Sequence, residues 1–324
     1  MAWGNGAYVL HKLLEQHLAE YRVIPYNPRL TLFPFFLSRI SAGNDAELIH
    51  TAATYGAFFH QPEIPMIITF HNYVLDSWMH SYCSPLQRIH HKYIQRRLTR
   101  CAAEKAKCIT AVSGYIAGLV KKDMQTDVPI KVIYNGVDTT RFTPKPAKAS
   151  AQNEIRIFFS GNLTRRKGSQ WLPAISNRLN KGCRIYYTQG LRTRKKLPPY
   201  EKLQSVGSMA FEKMPQRYRE MDILLMPTVR EGFGLSIAEA MACGLPVVAS
   251  NCSAVPELID DGRGGFLCPV GDVKAFAEKL NLLAESPKLR REMGEYNRAM
   301  VEEKFKLERM VNEYQMLFEE TLTG

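Results

Sequence analysis

Residues Pro227 to Ser250 read PTVREGFGLSIAEAMACGLPVVAS. The order of residue types predicts a loop, a glycine-spaced turn, a short helix and a buried strand. Glu231-Gly232-Phe233-Gly234-Leu235 brings the chain to a helix start with little side-chain bulk. The first turn of a helix has N–H groups with no partner inside the helix, and about half a positive charge gathers there. Such a turn can seat phosphate. Ile237 to Cys243 is Ala-rich, Gly244 can cap the helix, and Pro246-Val247-Val248-Ala249 opens an apolar run suited to a buried strand. Two carboxylates, Glu231 and Glu239, stand eight positions apart around the turn. A phosphate seat with a carboxylate on each side suggests a nucleotide-sugar pocket. A carboxylate-pair hydrolase fits less well. On one continuous helix that spacing would separate the groups by about 12 Å, whereas glycosidase pairs lie about 5 to 9.5 Å apart.

Upstream, Gly161-Asn-Leu-Thr-Arg-Arg-Lys-Gly168 follows a predicted strand, Glu154 to Ser160, and opens a predicted helix, Ser169 to Leu179. Arg165, Arg166 and Lys167 place three cations beside a helix start, which suits a diphosphate. Either loop alone could be an ordinary turn. Two phosphate seats at matching positions after strands are a stronger signal.

The same strand–helix alternation runs along the whole chain and argues for an α/β protein with parallel sheets covered by helices. In the first half, helices are expected at Ala7 to Ala19, Leu30 to Ile40 (interrupted by Pro34), Pro85 to Ala106 and Tyr115 to Lys122. Strands are expected at Arg22 to Tyr26, Ala46 to Thr51, Met66 to Phe70, Cys108 to Val112 and Lys131 to Tyr134. In the Pro85 helix, Leu86, Ile89, Tyr93, Ile94, Leu98 and Ala102 share one apolar face. Thr143 to Asn153 is polar, Pro-bearing and aperiodic, and reads as a linker. It divides an N-terminal domain, 1–145, from a C-terminal domain, 151–305. Beyond Val273 a helical tail runs to about Leu322, broken near Pro287.

Composition sets outer bounds. The 324 residues are 45% hydrophobic and 23% charged, as in a globular protein of two ordinary domains. The net charge of +12 is spread over both halves and favours an anionic partner. Seven cysteines form no CxxC and no Cys/His zinc pattern, which points to reduced thiols and a cytoplasmic protein. No metal ligand set is evident, and no run approaches membrane-spanning length. From Ser77 to Ala103 there is no acidic residue, while Arg88, Lys92, Arg96 and Arg100 recur every four positions. That stripe is either a solvated face or a seat for anionic lipid at the inner face of the plasma membrane. Arg192, Arg194, Lys195 and Lys196 form a second basic cluster. No aromatic-rich or recognition-helix motif supports specific nucleic-acid binding.

Several motifs together resemble the retaining glycosyltransferases of the GT-B class, in particular glycosyltransferase family four. They are Val128 to Asp138 (VPIKVIYNGVD) with Phe142-Thr-Pro144, Phe158 to Gly168, Met221-Asp222 to Pro227, the Glu231-x7-Glu239 pair, Ala254-Val-Pro-Glu257, Asp261-Gly262, and Gly265 to Asp272. In the third of these, Thr228 stands where the family usually has Ser. The resemblance covers nearly the whole chain and weakens before residue 105.

It implies two Rossmann-like domains facing across a cleft, with a final helix, about 306–324, completing the first. It also implies transfer of a sugar from a UDP- or GDP-sugar to a hydroxyl of a glycan or glycolipid, with no metal or other cofactor required. Lys167 would bind the diphosphate. The family's Arg after the first glycine is replaced by Asn162, so Arg166 or Arg165 would supply the second cation. Glu239 would accept from the ribose hydroxyls, and Glu231 would face the transferred sugar. Main-chain N–H groups from Gly232, Phe233, Gly234 and Leu235 would take up phosphate charge. The base would lie near Gly190 and Met209. In the first half, His71 would reach the donor sugar or the acceptor side from a strand end, and Gly4, Gly6 and Ser113 would line the cleft. No apolar strand precedes Gly4, so the first strand of that domain is expected to be absent. Two alternatives stay open: a sugar-nucleotide epimerase or hydrolase on the same fold, and a non-catalytic relative.

Overall fold

Short apolar runs rich in β-branched residues become fully buried strands, because a parallel sheet covered on both faces leaves no side for water. The clearest are Met66–Phe70, Cys108–Ala111, Ile223–Met226 and Val247–Ser250, in which every residue is buried. The structure is a computed structural model that describes residues 1–2, 6–145, 154–190 and 197–323. Gly4, the Arg192 to Lys196 cluster and most of the expected linker lie outside the described residues. The chain divides into two units, Met1–Asn135 with Glu308–Gly324, and Gly136–Leu307.

The first unit runs α1 (Gly6–His17), β1 (Ile49–Ala52), β2 (Met66–Phe70), α2 (Ser77–His80), α3 (Pro85–Ile89), α4 (Arg96–Lys105), β3 (Cys108–Ala111), α5 (Gly114–Met124) and β4 (Ile130–Val132). Its sheet is wholly parallel in the order β1-β2-β3-β4, with Ile67 opposite Cys108 and Ile68 opposite Ile109.

The second unit carries β5 (Ile155–Phe159), α6 (Leu172–Ser176), β6 (Cys183–Thr188), β7 (Leu203–Gly207), α7 (Met214–Arg219), β8 (Ile223–Met226), α8 (Leu235–Ala242), β9 (Val247–Ser250), α9 (Val255–Leu258), β10 (Gly265–Cys268), α10 (Val273–Glu285) and α11 (Pro287–Lys304). Its six strands are parallel in the order β10-β9-β8-β5-β6-β7. The order therefore reverses between β5 and β8. In such sheets ligands bind at this switch point, beyond the carboxyl ends of the strands. Most of α12 (Leu307–Thr323) belongs to the first unit.

Several expected elements differ. Arg22 to Tyr26 forms no strand, only one parallel bridge between Ala2 and Tyr26. Pro25 has no N–H to give a ladder. The expected Leu30 to Ile40 helix is two 3-10 turns, Pro28–Leu32 and Pro34–Arg39. Pro34 removes the donor that would continue an α-helix. The expected Ser169 helix opens as a 3-10 turn before α6. The Pro85 helix is continuous but contains a π segment, His90–Gln95, between α3 and α4. A turn closed i→i+5 holds one residue more than an α turn, so it shifts the helix phase by roughly 100°. Thr99, Ala102 and Ala103 are buried on α4. Leu86, Ile89, Tyr93 and Ile94, expected on the same packed face, are exposed instead.

Candidate active site

Loops after adjacent strands of the second unit bring the sequence motifs together. β5 leads into Gly161 to Gly168, and β8 leads into Pro227 to Gly234, so the two loops flank the switch point. Gly168 makes their close approach possible. Its φ is +77°, and a Cβ there would sit 1.7 Å from the carbonyl oxygen of Pro227. The Val229 N–H donates to the Arg166 carbonyl at 2.8 Å, tying the loops together.

At this junction the Lys167 Nζ lies 2.8 and 3.0 Å from the two carboxylate oxygens of Glu231. Both side chains are largely shielded, at 12% and 7% exposure. Arg166 Nη1 is 3.9 Å from the same carboxylate and donates to the Arg230 carbonyl at 2.6 Å. The Thr228 hydroxyl donates to Glu231 Oε1 at 2.7 Å. Burial alone would raise the pKa of Glu231, but Lys167 and Arg166 more than offset it, and the net direction is down. Lys167 is lowered, chiefly by burial and further by Arg166, against the pull of Glu231. Arg165, by contrast, is exposed.

The turn then enters α8. Phe233 is 2% exposed and its ring lies edge-on to Phe305 at 5.5 Å, so its side chain anchors the turn in the core. Gly234 has φ +109° and no side-chain cap replaces it, so the helix opens on main chain alone. Leu235 is the first helical residue. About one turn further, Glu239 accepts a hydrogen bond from the buried Tyr218 hydroxyl at 2.9 Å. Its pKa is pushed up to about 7, by burial, with Tyr218, Lys167 and Arg141 acting the other way. On the far side of the switch point, Gly190 packs on Asn162 so closely that a Cβ would lie 2.6 Å from its Cα. The Ser208 hydroxyl donates to the Gly190 carbonyl at 3.0 Å, which brings the half-buried Met209 to the same edge.

The arrangement matches two family models, "Glycosyltransferase Family 4" over residues 4–141 and "Glycosyl transferases group 1" over residues 154–286. The chain belongs to the family-four glycosyltransferases. It is 38% identical over 101 residues to N-acetyl-alpha-D-glucosaminyl L-malate synthase of Bacillus anthracis, covering 31% of this chain and 26% of that protein. It is 32% identical over 192 residues to a putative colanic acid biosynthesis glycosyltransferase of Escherichia coli, covering 52% and 45%. These matches span less than half the length of either relative. The fold is similar to that of the Anabaena protein HepE, solved in complex with UDP-glucose, with a TM-score of 0.76 and 20% identity over 98% of this chain and 90% of that one.

Two residues of this family-four chain support the site without having been marked in the sequence. Ser253 accepts from the Glu231 N–H at 2.9 Å, in a left-handed backbone conformation with φ +50°. Tyr218 holds Glu239. Neither stands in a motif, and Ser253 follows β9 while Tyr218 lies in α7. Arg230, beside Glu231, is fully buried as well.

In the first unit, His71 follows β2 and its Nε2 is buried without a hydrogen-bond partner among the described residues. It joins two histidines that the sequence did not single out. The His11 ring lies 5.6 Å from His71 and 4.5 Å from His50. His50 bonds the Tyr21 hydroxyl at 2.8 Å and the Thr69 hydroxyl at 2.6 Å. Burial pushes His50 down to about 3 and His71 to about 4, and His11 well below its usual range. No three metal-ligating side chains among the described residues are arranged to hold a metal ion. Ser113 is buried as the N-cap of α5, accepting from the Ile116 N–H at 3.2 Å. Gly6 begins α1. The cationic stripe is changed at one position: Arg96 is ion-paired with Asp123 and donates to the Leu75 carbonyl at 2.7 Å, so it faces its own fold.

Proposed function

We propose that this chain transfers a sugar from a nucleotide-sugar donor to a hydroxyl of a glycan or glycolipid acceptor, with retention of configuration at the transferred carbon. The observation that carries the reading is the Lys167–Glu231–Arg166 cluster at the switch point, beside a helix that opens on glycine. A diphosphate placed there meets an ammonium, a guanidinium and the N-terminal dipole of α8, each favouring negative charge. When the bond from sugar to phosphate breaks, the electron pair goes to the diphosphate, and these groups stabilise the charge that develops. Glu239 binds the ribose hydroxyls through its carboxylate, and Glu231 faces the sugar. Gly190 and Met209 lie beside the base. Phosphate held by protein cations needs no metal for neutralisation. His71, neutral at pH 7, serves the acceptor side as a hydrogen-bonding group.

The donor is a UDP- or GDP-sugar. HepE was solved with UDP-glucose and the Escherichia coli relative is named for colanic acid biosynthesis, which supports a cell-surface polysaccharide or glycolipid as the product class. The deciding experiment is nucleotide release across UDP- and GDP-sugars, with and without acceptor, followed by NMR of the product. Acceptor-dependent release and a retained anomer are expected. An inverted product would refute retention, and release of free sugar regardless of acceptor would favour the hydrolase.

A further inference from the structure

The continuous helix from Pro85 to Lys105 presents an apolar surface that the fold leaves uncovered. Leu86, Ile89, Tyr93 and Ile94 are 77%, 58%, 63% and 49% exposed. Trp78, on the preceding α2, is 49% exposed. One exposed apolar side chain is ordinary, but several on one helix mark a docking surface. Cations interleave with them. Arg88, Lys92, Arg97 and Arg100 are exposed, and Lys92 Nζ lies 5.1 Å from the centre of the Tyr93 ring. No acidic residue occurs between Ser77 and Ala103. The exposure has a structural cause. The π segment turns α3 out of phase with α4, so Ala102 packs 3.3 Å from where a side chain on Gly56 would begin, while the apolar residues of the first turns face water.

We propose that this face docks on the surface of an anionic lipid bilayer. Leu86, Ile89, Tyr93 and Ile94 enter the boundary between headgroups and acyl chains, and Arg88, Lys92, Arg97 and Arg100 meet the lipid phosphates. Charge selects this occupant. A second copy would set two cationic faces against each other, and like-charge juxtaposition is unfavourable. The helix lies in the interface plane, since no helix among the described residues is long and apolar enough to cross a membrane. Arg96 takes no part, being held by Asp123. The surface uses none of the donor-site residues and stands independently of the proposed transfer.

The test is flotation of the full chain with vesicles of phosphatidylcholine alone or mixed with phosphatidylglycerol. Binding to the mixed vesicles, weakened by salt, is expected. The pair Arg88→Glu and Lys92→Glu should lower the bound fraction about tenfold or more. The triple Leu86→Ser, Ile89→Ser, Tyr93→Ser should do the same while leaving the thermal midpoint unchanged, because these side chains are already in water. Should the triple variant unfold, the charge pair alone carries the test. Wild type that fails to float with anionic vesicles, or variants that float as wild type does, would overturn the proposal. A dimer abolished by the triple variant would also overturn it and assign the face to a second copy.

Discussion

Lys167 and Glu231 stand 64 residues apart in the chain and share a hydrogen-bonded ion pair, with Nζ 2.8 Å from Oε1 and 3.0 Å from Oε2. Breaking one side of a shielded pair leaves the other charge without its partner. Lys167→Met should therefore cost about 3 kcal/mol of stability, and kcat/KM should fall by about 100-fold or more. The double variant Lys167→Met, Glu231→Gln should recover much of the stability in urea melts but none of the activity. Recovery of both would show that the pair is structural.

Glu239 titrates near 7 because burial outweighs Tyr218 and Lys167. The carboxylate form is the acceptor for ribose hydroxyls, so donor affinity should rise as pH climbs through 7. Tyr218→Phe removes a donor that stabilises the carboxylate and should move that midpoint to higher pH. Glu239→Gln should weaken binding and flatten the profile. Calorimetric titration of UDP between pH 6 and 8.5 reads all three, and a profile unchanged by Glu239→Gln would refute the ribose role.

The buried histidines and Glu239 should respond to acid in opposite directions. His11, His50 and His71 are held neutral, below their usual value of 6.5. The unfolded chain binds more protons than the native one below that value, so the first unit loses stability as pH falls from about 6.5 toward 4. For Glu239 the folded value is raised from 4.5 to about 7, so the native state holds the extra proton and its contribution falls as pH rises across that range. Peptide-resolved hydrogen exchange at pH 7 and pH 5, corrected for intrinsic rates, should show protection in the first unit dropping at pH 5. Equal protection at both would contradict the buried neutral trio.

Gly168 and Ser253 test the backbone. Gly168→Ala must either move Pro227 or abandon φ +77°, and should cost about 3 kcal/mol or more. Ser253→Ala removes the acceptor for the Glu231 N–H and should cost about 1 to 3 kcal/mol. Ser253→Gly should be milder by about 1 kcal/mol, since glycine accepts the left-handed conformation freely. Urea midpoints rank the three, and a harmless Gly168→Ala would mean the loops do not meet there.

The parts of the site that depend on local chemistry could be read directly. Alternating apolar and helical segments announced two parallel-sheet α/β domains, and the cationic loop before Gly168 and the glycine turn before α8 could be seen as phosphate seats. What misled was periodicity. The Leu86, Ile89, Tyr93 pattern fits a buried α-helix face, but the π segment changes the phase, and nothing in the residue types from His90 to Gln95 announces a wider turn. Ser253 and Tyr218 carry no local signal, because their roles rest on one hydrogen bond each to residues 22 and 21 positions away.

By itself, the sequence determined which residues could carry charge, make tight turns or lie inside: Lys167, Glu231, Glu239, Gly168 and the apolar strands. Only the tertiary structure decided which of them meet. β5 lies beside β8 although β6 and β7 come between them in the chain, and that adjacency is what sets Lys167 on Glu231. The histidine trio arises in the same way, since α1, β1 and the end of β2 each deliver one ring. The reason is physical. Local preference acts over a few residues, whereas strand order is selected by burying all the apolar faces at once, and that choice is made by the whole chain.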